Sequence, residues 1–304
     1  MIFQKRTAVR IIEILSTVVF FHTTAMADNT AALASSNSVN AADSRYGLFD
    51  WLDPRSAYTQ EFFPQPLLVD DTSLQKDLEL EFSSLHTQAS DQQTDTVATE
   101  VQKSFGLLTL DLSIPYERDA DAAEVSQGIG NISLGIRYPL YQFVSANGFF
   151  DTTFGVGMEI GIPVSPAISI NTEFDPKVFN DLKLGEHFSL QSVFGYSTLV
   201  GRGDNGGLQT FEYGFAFAYA IPHNELPLPR IQQFTPMFEL VGQTGLNKGA
   251  AGQNSLLGSM GFRLDLKPIG DMQPSLGLGY VFPIDNGAYA EVHWGIATSL
   301  TFEF

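Results

Sequence analysis

From Leu74 onward, apolar residues recur at every second position. Leu78, Leu80 and Phe82 alternate with Asp77, Glu79 and Glu81. Leu108, Leu110, Leu112, Ile114 and Tyr116 alternate with Thr109, Asp111 and Ser113. Phe150, Phe154, Val156, Met158, Ile160 and Ile162 alternate with Asp151, Thr153, Gly155, Gly157, Glu159 and Gly161. A helix would repeat at i, i+3 and i+4, so this period of two predicts half-buried strands. The same reading along the chain predicts strands at 74–87, 93–104, 107–116, 128–141, 148–163, 172–183, 187–200, 208–221, 231–244, 254–267, 273–283 and 289–304. Pro176 interrupts the sixth, the weakest by pattern. Bacterial single-chain barrels have even strand numbers, which leaves both ends in the periplasm; parity therefore keeps the sixth strand and gives twelve, with ten the alternative.

The two faces differ in a way a soluble sandwich would not. One is large and aromatic, and the other is small and carboxylate-bearing, built from Gly, Ser, Thr, Asp and Glu. Small residues suit a crowded lumen and large apolar ones suit lipid. Several segments run roughly 12 to 16 residues, enough for a tilted crossing of a ~25 Å apolar band. The expected fold is all-β: a transmembrane antiparallel up-and-down β-barrel over residues 74–304. No stretch has the ~18 consecutive apolar residues of a membrane helix, so a membrane protein of this sequence must close its strands on themselves.

Upstream, Lys5, Arg6 and Arg10 precede an apolar run from Ile11 to Phe21 and the small-residue ending Thr24-Ala25-Met26-Ala27. This is the pattern of a secretory signal peptide over residues 1–27. Residues 28–73 read as a flexible periplasmic N-terminal segment. Within it, Leu48-Phe49-Asp50-Trp51-Leu52 and Phe62-Phe63-Pro64-Gln65-Pro66-Leu67-Leu68 are unlike a polar leader. The prolines disfavour a long strand there. A segment tucked into or under a barrel and a disordered tether both remain open.

Composition narrows the chemistry. The 304 residues carry 16 Lys+Arg and 34 Asp+Glu, a formal charge of −18; after loss of residues 1–27 the balance is 13 − 33 = −20. That excludes a nucleic-acid partner. The absence of Cys excludes disulfides, thiolate metal sites and Cys nucleophiles. No cofactor or metal is expected: Asp204 and Asn205 lie in a glycine-rich turn that needs no ion.

The polar face supplies the candidate lumen residues: Asp77, Glu79, Glu81, Glu100, Asp111, Arg137, Asp151, Glu159, Glu212, Glu239, Arg263, Asp265, Lys267, Glu291, His293 and Glu303. Carboxylate rings concentrate cations; alternatively Arg137 and Arg263 pair with Glu and Asp to fill the barrel. A hydrolase would need a Ser–His arrangement, for which His293, beside Glu291 and not far from Ser299, is the best placed of the histidines. Tyr138, Tyr196, Tyr213, Tyr219, Tyr280 and Trp294 fall on the outer face, where such rings form interfacial girdles.

The terminal Leu300-Thr301-Phe302-Glu303-Phe304 resembles the closing strand of bacterial outer-membrane proteins, in which the aromatics, here Phe302 and Phe304, form the signal read by the barrel-assembly machinery. More narrowly, Gly128-Ile129-Gly130-Asn131-Ile132-Ser133-Leu134-Gly135-Ile136-Arg137-Tyr138, Gly161-Ile162-Pro163-Val164, the Glu239-bearing strand and Gly277-Leu278-Gly279-Tyr280-Val281-Phe282-Pro283 occur in the order seen in the family of outer-membrane channels named for the meta pathway of phenol degradation. Gly130-Asn131 departs from that family's usual Gly-Asp. The resemblance implies a Gram-negative outer membrane, a lipid bilayer around the barrel, and passive passage of small solutes, hydrophobic or aromatic ones among them. A structural barrel with a plugged lumen, and a membrane-embedded hydrolase, are the competing readings.

Overall fold

The structure, a computed structural model, describes residues 63–72, 77–86, 92–105, 107–120, 124–146, 148–270 and 272–303. The expected signal peptide, residues 28–62 and Phe304 lie outside them. Twelve antiparallel strands form the barrel: β1 (Asp77–His86), β2 (Gln93–Phe105), β3 (Leu108–Ala120), β4 (Val125–Ile129, resuming as Asn131–Val144), β5 (Phe150–Pro163), β6 (Asn171–Leu184), β7 (Phe188–Gly201), β8 (Gln209–Tyr219, resuming as Ile221–Pro222), β9 (Ile231–Gly245), β10 (Asn254–Leu266), β11 (Gln273–Pro283) and β12 (Trp294–Glu303). Each pairs with its neighbour in sequence, and β1 pairs with β12 from Asp77↔Glu303 to His86↔Trp294, which closes the cylinder. Both barrel ends of the chain thus share one rim, called near here; the opposite rim is far.

Pro176 does not end β6. On one side it pairs with Met158 of β5, while on the other the register with β7 is kept at Phe174 and resumes at Lys177. The missing proline N–H falls in that gap.

The burial pattern inverts that of a soluble protein. Leu140 and Met260 are 64% and 62% exposed, and Phe82, Leu110, Phe154, Val178 and Leu278 are also exposed on the outer face. Inside, Thr109, Glu239, Arg263 and Thr301 are exposed by 1% or less. Polar side chains thus predominate in the interior and apolar ones form the coat, an arrangement that suits hydrocarbon outside. Tyr196, Tyr219 and Tyr280 are exposed on that coat. Trp294 stacks on His86 with ring centroids 4.0 Å apart, and the Tyr213 hydroxyl donates to Asn254 Oδ1 at 3.0 Å.

Small lumen-side residues make the interior crowding feasible. A Cβ on Gly155 would meet the Phe179 ring at 2.0 Å, and one on Gly135 would meet Asp111 Oδ1 at 2.0 Å. Bulky inward side chains of one strand thus occupy the space a neighbouring glycine leaves.

The C-terminal stretch corrects the expected strand 289–304. Asn286–Glu291 is a short helix, α1, and β12 begins only at Trp294. Asp285 caps the helix: its Oδ1 accepts from Ala288 N at 2.8 Å and from Leu256 N at 3.1 Å. A side-chain cap satisfies the first-turn donors locally and overrides the alternation. Glu291 and His293 therefore do not line the lumen as strand residues. Glu291 sits on α1 and accepts from Ser255 Oγ at 2.8 Å; burial there raises its carboxyl above the ordinary glutamate value. His293 is exposed. Val292, expected outside, is 1% exposed within an interior cluster. Lys267 likewise lies beyond the end of β10 and is exposed.

Candidate functional site: the occupied lumen

Residues 63–72 run inside the barrel. Of the segment expected to be flexible and periplasmic, this described stretch is ordered in the lumen instead, with residues from Phe63 through Val69 buried. Pro64 and Pro66 deny it ladder donors, so its remaining backbone groups must bond to side chains. Gln191 Nε2 donates to Pro64 O at 2.7 Å, and Arg263 donates to Gln65 O at 3.0 Å and to Gln65 Oε1 at 2.8 Å. At the apex, the Leu67 N–H reaches Glu239 Oε1 at 2.9 Å, while those of Leu68 and Val69 reach Oε2 at 2.7 and 3.0 Å. One buried carboxylate thus receives three successive backbone donors, each a charge-assisted bond. The chain then descends to Thr72, whose hydroxyl contacts Asp181 and Gln191.

Beside this segment, Lys177 forms a hub. Its Nζ lies 2.6 Å from Asp70 of the segment, 2.7 Å from Glu159 of β5 and 2.9 Å from Asp175 of its own strand. Arg137, which like Lys177 pairs in register with Gly157 of β5, forms a similar hub. It lies 3.6 Å from Asp71 and 3.7 Å from Asp111, and donates to Asp71 O and Gln102 Oε1.

Two cavities flank the segment. The first, about 860 Å³ of space free of atoms and partly continuous with solvent, is bounded by Glu79, Glu81, Glu100, Gln102, Asp111, Arg137, Glu159 and Lys177, with Leu67, Leu68, Val69, Phe179 and Val193 as apolar lining. The second, about 800 Å³, lies toward the far rim among Glu159, Glu173, Asp175, Lys177, Glu212 and Gln243. They share Asp70, Glu159 and Lys177, so the lysine hub stands where one gives way to the other. The other side of the lumen is filled: Leu67 and Leu68 pack with Leu85, Leu257, Val281, Ala288, Val292 and Ala297.

The structure places the sequence candidates unevenly. Glu79, Glu81, Glu100, Asp111, Arg137 and Glu159 gather round the first cavity, and Glu212 lines the second. Glu239 and Arg263 clasp the segment rather than line open space. Asp265 accepts from Gln233 at 3.2 Å and lies 3.8 Å from Arg263. Asp151 accepts from Gln142 at 3.3 Å. Phe302 sits on the outer face of β12, half-buried. Lys177, Asp175 and Asp181 were missed because Pro176 made β6 the least regular strand; carrying the parity through the proline would have turned all three inward. Gln65, Asp70 and Asp71 gave no periodic signal. No histidine lines either cavity among the described residues.

The architecture has solved counterparts. The crystal structure of the COG4313 outer membrane channel from Pseudomonas putida F1 aligns with a TM-score of 0.52 at 12% identity, covering 78% of this chain and all of that one (100%). The fold is that of an outer-membrane β-barrel. The NanC porin (TM-score 0.45, 11% identity, 74% and 98% covered) and the KdgM porin (0.40, 13%, 75% and 99%) also align. No protein-family model matches the chain, and no curated protein matches it.

Proposed function

We propose that this protein is an outer-membrane channel of a Gram-negative bacterium for passive diffusion of small solutes, with residues 63–72 narrowing its lumen. The observation that carries this reading is the pair of cavities meeting at Lys177 along one side of the barrel. The apolar coat supports strands that lie in a bilayer, and an even strand number fits a shared rim of the chain ends in the periplasm. Hydrophobic or aromatic solutes are the finer element of the proposal; the lining by Leu67, Phe179 and Val193, together with the resemblance to the phenol-degradation family, supports it.

The clasp on Glu239 favours a second reading, a structural barrel that stays plugged. Planar-bilayer recording of the refolded full chain separates the two. The channel predicts a small steady conductance in the wild type and a several-fold larger one in Glu239→Ala, which orphans three backbone donors. Silence in both proteins, with folding shown by heat-modifiable gel migration, would leave the plugged barrel.

A further inference from the structure

We infer that the first cavity binds an organic ammonium ion, its charge held by Glu81 and Glu100 and its apolar body lying against the inward-facing Phe179 and Val193. Glu79 and Glu100 are direct cross-strand partners on β1 and β2, and Glu81 follows Glu79 on the same face. Like charges placed directly opposite destabilise a sheet. Glu79 is compensated by Gln65 and Thr301, which donate to its two oxygens. Glu100 is not: it is 7% exposed, borders the cavity, and has neither a hydrogen bond nor an ion pair among the described residues; Glu81 has none either. The neighbouring cations are already committed, Arg137 between Asp71 and Asp111 and Lys177 among Asp70, Glu159 and Asp175. A buried carboxylate without a partner is costly unless something pairs with it.

The occupant is organic rather than a metal ion. Among the described residues no group of three or more acidic or histidine side chains could hold a metal, so the tight oxygen cage that a hard divalent cation demands is missing. The space is instead large and mixed, with carboxylates on one wall and Leu67, Phe179 and Val193 on another. That combination of an apolar body site and a few placed polar groups is what small-molecule sites present.

The inference rests on the channel reading for its biological sense, but binding does not require conduction, and the test keeps them apart. Isothermal titration calorimetry on the detergent-solubilised full chain compares benzyltrimethylammonium with benzenesulfonate and benzyl alcohol. The expected result is at least tenfold tighter binding of the cation, lost at least fivefold in Glu81→Gln/Glu100→Gln. Equal binding of the three probes by the wild type would overturn the site even if the variant failed to fold, and so would undiminished cation binding by a folded variant. Current through the bilayer without cation binding removes the site and keeps the channel; binding without current does the reverse.

Discussion

The two sides of the lumen solve the same packing problem with opposite chemistry. Toward the far rim of β9 to β12 and β1 the interior is closed by carbon: Leu67 and Leu68 of the inserted segment meet Leu85, Leu257, Val281 and Ala297, with α1 supplying Ala288 and Val292. Along β2 to β7 it is built from charge, with Arg137 and Lys177 distributed among carboxylates and cavities left between them. Apolar side chains can fill a space without directional demands, whereas ions need geometry and tolerate water. Both sides hold the segment, and on the proposed channel reading solutes pass along the second.

Lys177→Met offers the most severe way to break that division. It leaves Asp70, Glu159 and Asp175 without their shared ammonium, and removing one partner of a buried ion cluster costs on the order of 3–5 kcal/mol. Denaturant unfolding in detergent should show that loss. The reversal potential in a salt gradient should move toward greater cation preference, while Lys177→Arg should restore most of both. An unchanged potential would mean that ions do not pass the hub.

Leu257→Ala probes the filled side. Leu257 is 0% exposed, and a buried Leu→Ala change costs about 2–5 kcal/mol. Stability should fall by about that much, with conductance and selectivity per folded channel unchanged. A change in selectivity would show that the apolar side belongs to the route.

How far these two sides could be read from sequence follows from their physics. The coat and the strands were legible because a closed sheet between lipid and a polar interior enforces a period of two, and even β6 keeps its parity through Pro176. The end of the barrel was not. Asp285 captures the Ala288 N–H, a contact no alternation encodes, and it moves Glu291 and Val292 off the strand. The lumen was legible as a set of charges but not as a set of partners. Glu239 and Arg263 looked like pore lining, yet their ligands are backbone groups of residues 65–69, about 170 and 198 residues away in sequence. Long-range clasps of that kind leave no local pattern, and the proline-bearing segment they hold has no period to betray its path.

Gly155→Ala sharpens the boundary between the two sides, because Phe179 lines the first cavity while also packing with Val69, Val193 and Ala216. The added methyl meets its ring at 2.0 Å, and overpacking of this kind costs about 1–3 kcal/mol. Thermal unfolding should register the loss. If Phe179 yields by swinging into the cavity, conductance should fall as well; a loss of stability with full conductance would place the ring wholly on the packing side.

The smallest effect tests whether the helix at the far rim belongs to the filled side. Burial raises the Glu291 carboxyl above its ordinary value, Asp285 adds to the shift, and the bond from Ser255 works against it. The folded state therefore holds this proton more tightly than the unfolded chain does. Its contribution is fully present below the ordinary glutamate value and is lost as pH rises through the raised one. In Glu291→Gln the titration is gone while an acceptor for Ser255 remains. The difference in melting temperature between wild type and variant should be near zero at low pH and should move modestly in the variant's favour as pH rises, with the other carboxylates cancelling in the comparison. A difference that stays flat across that range would mean that α1 rests on the rim without bearing on the apolar cluster beneath Ala288 and Val292.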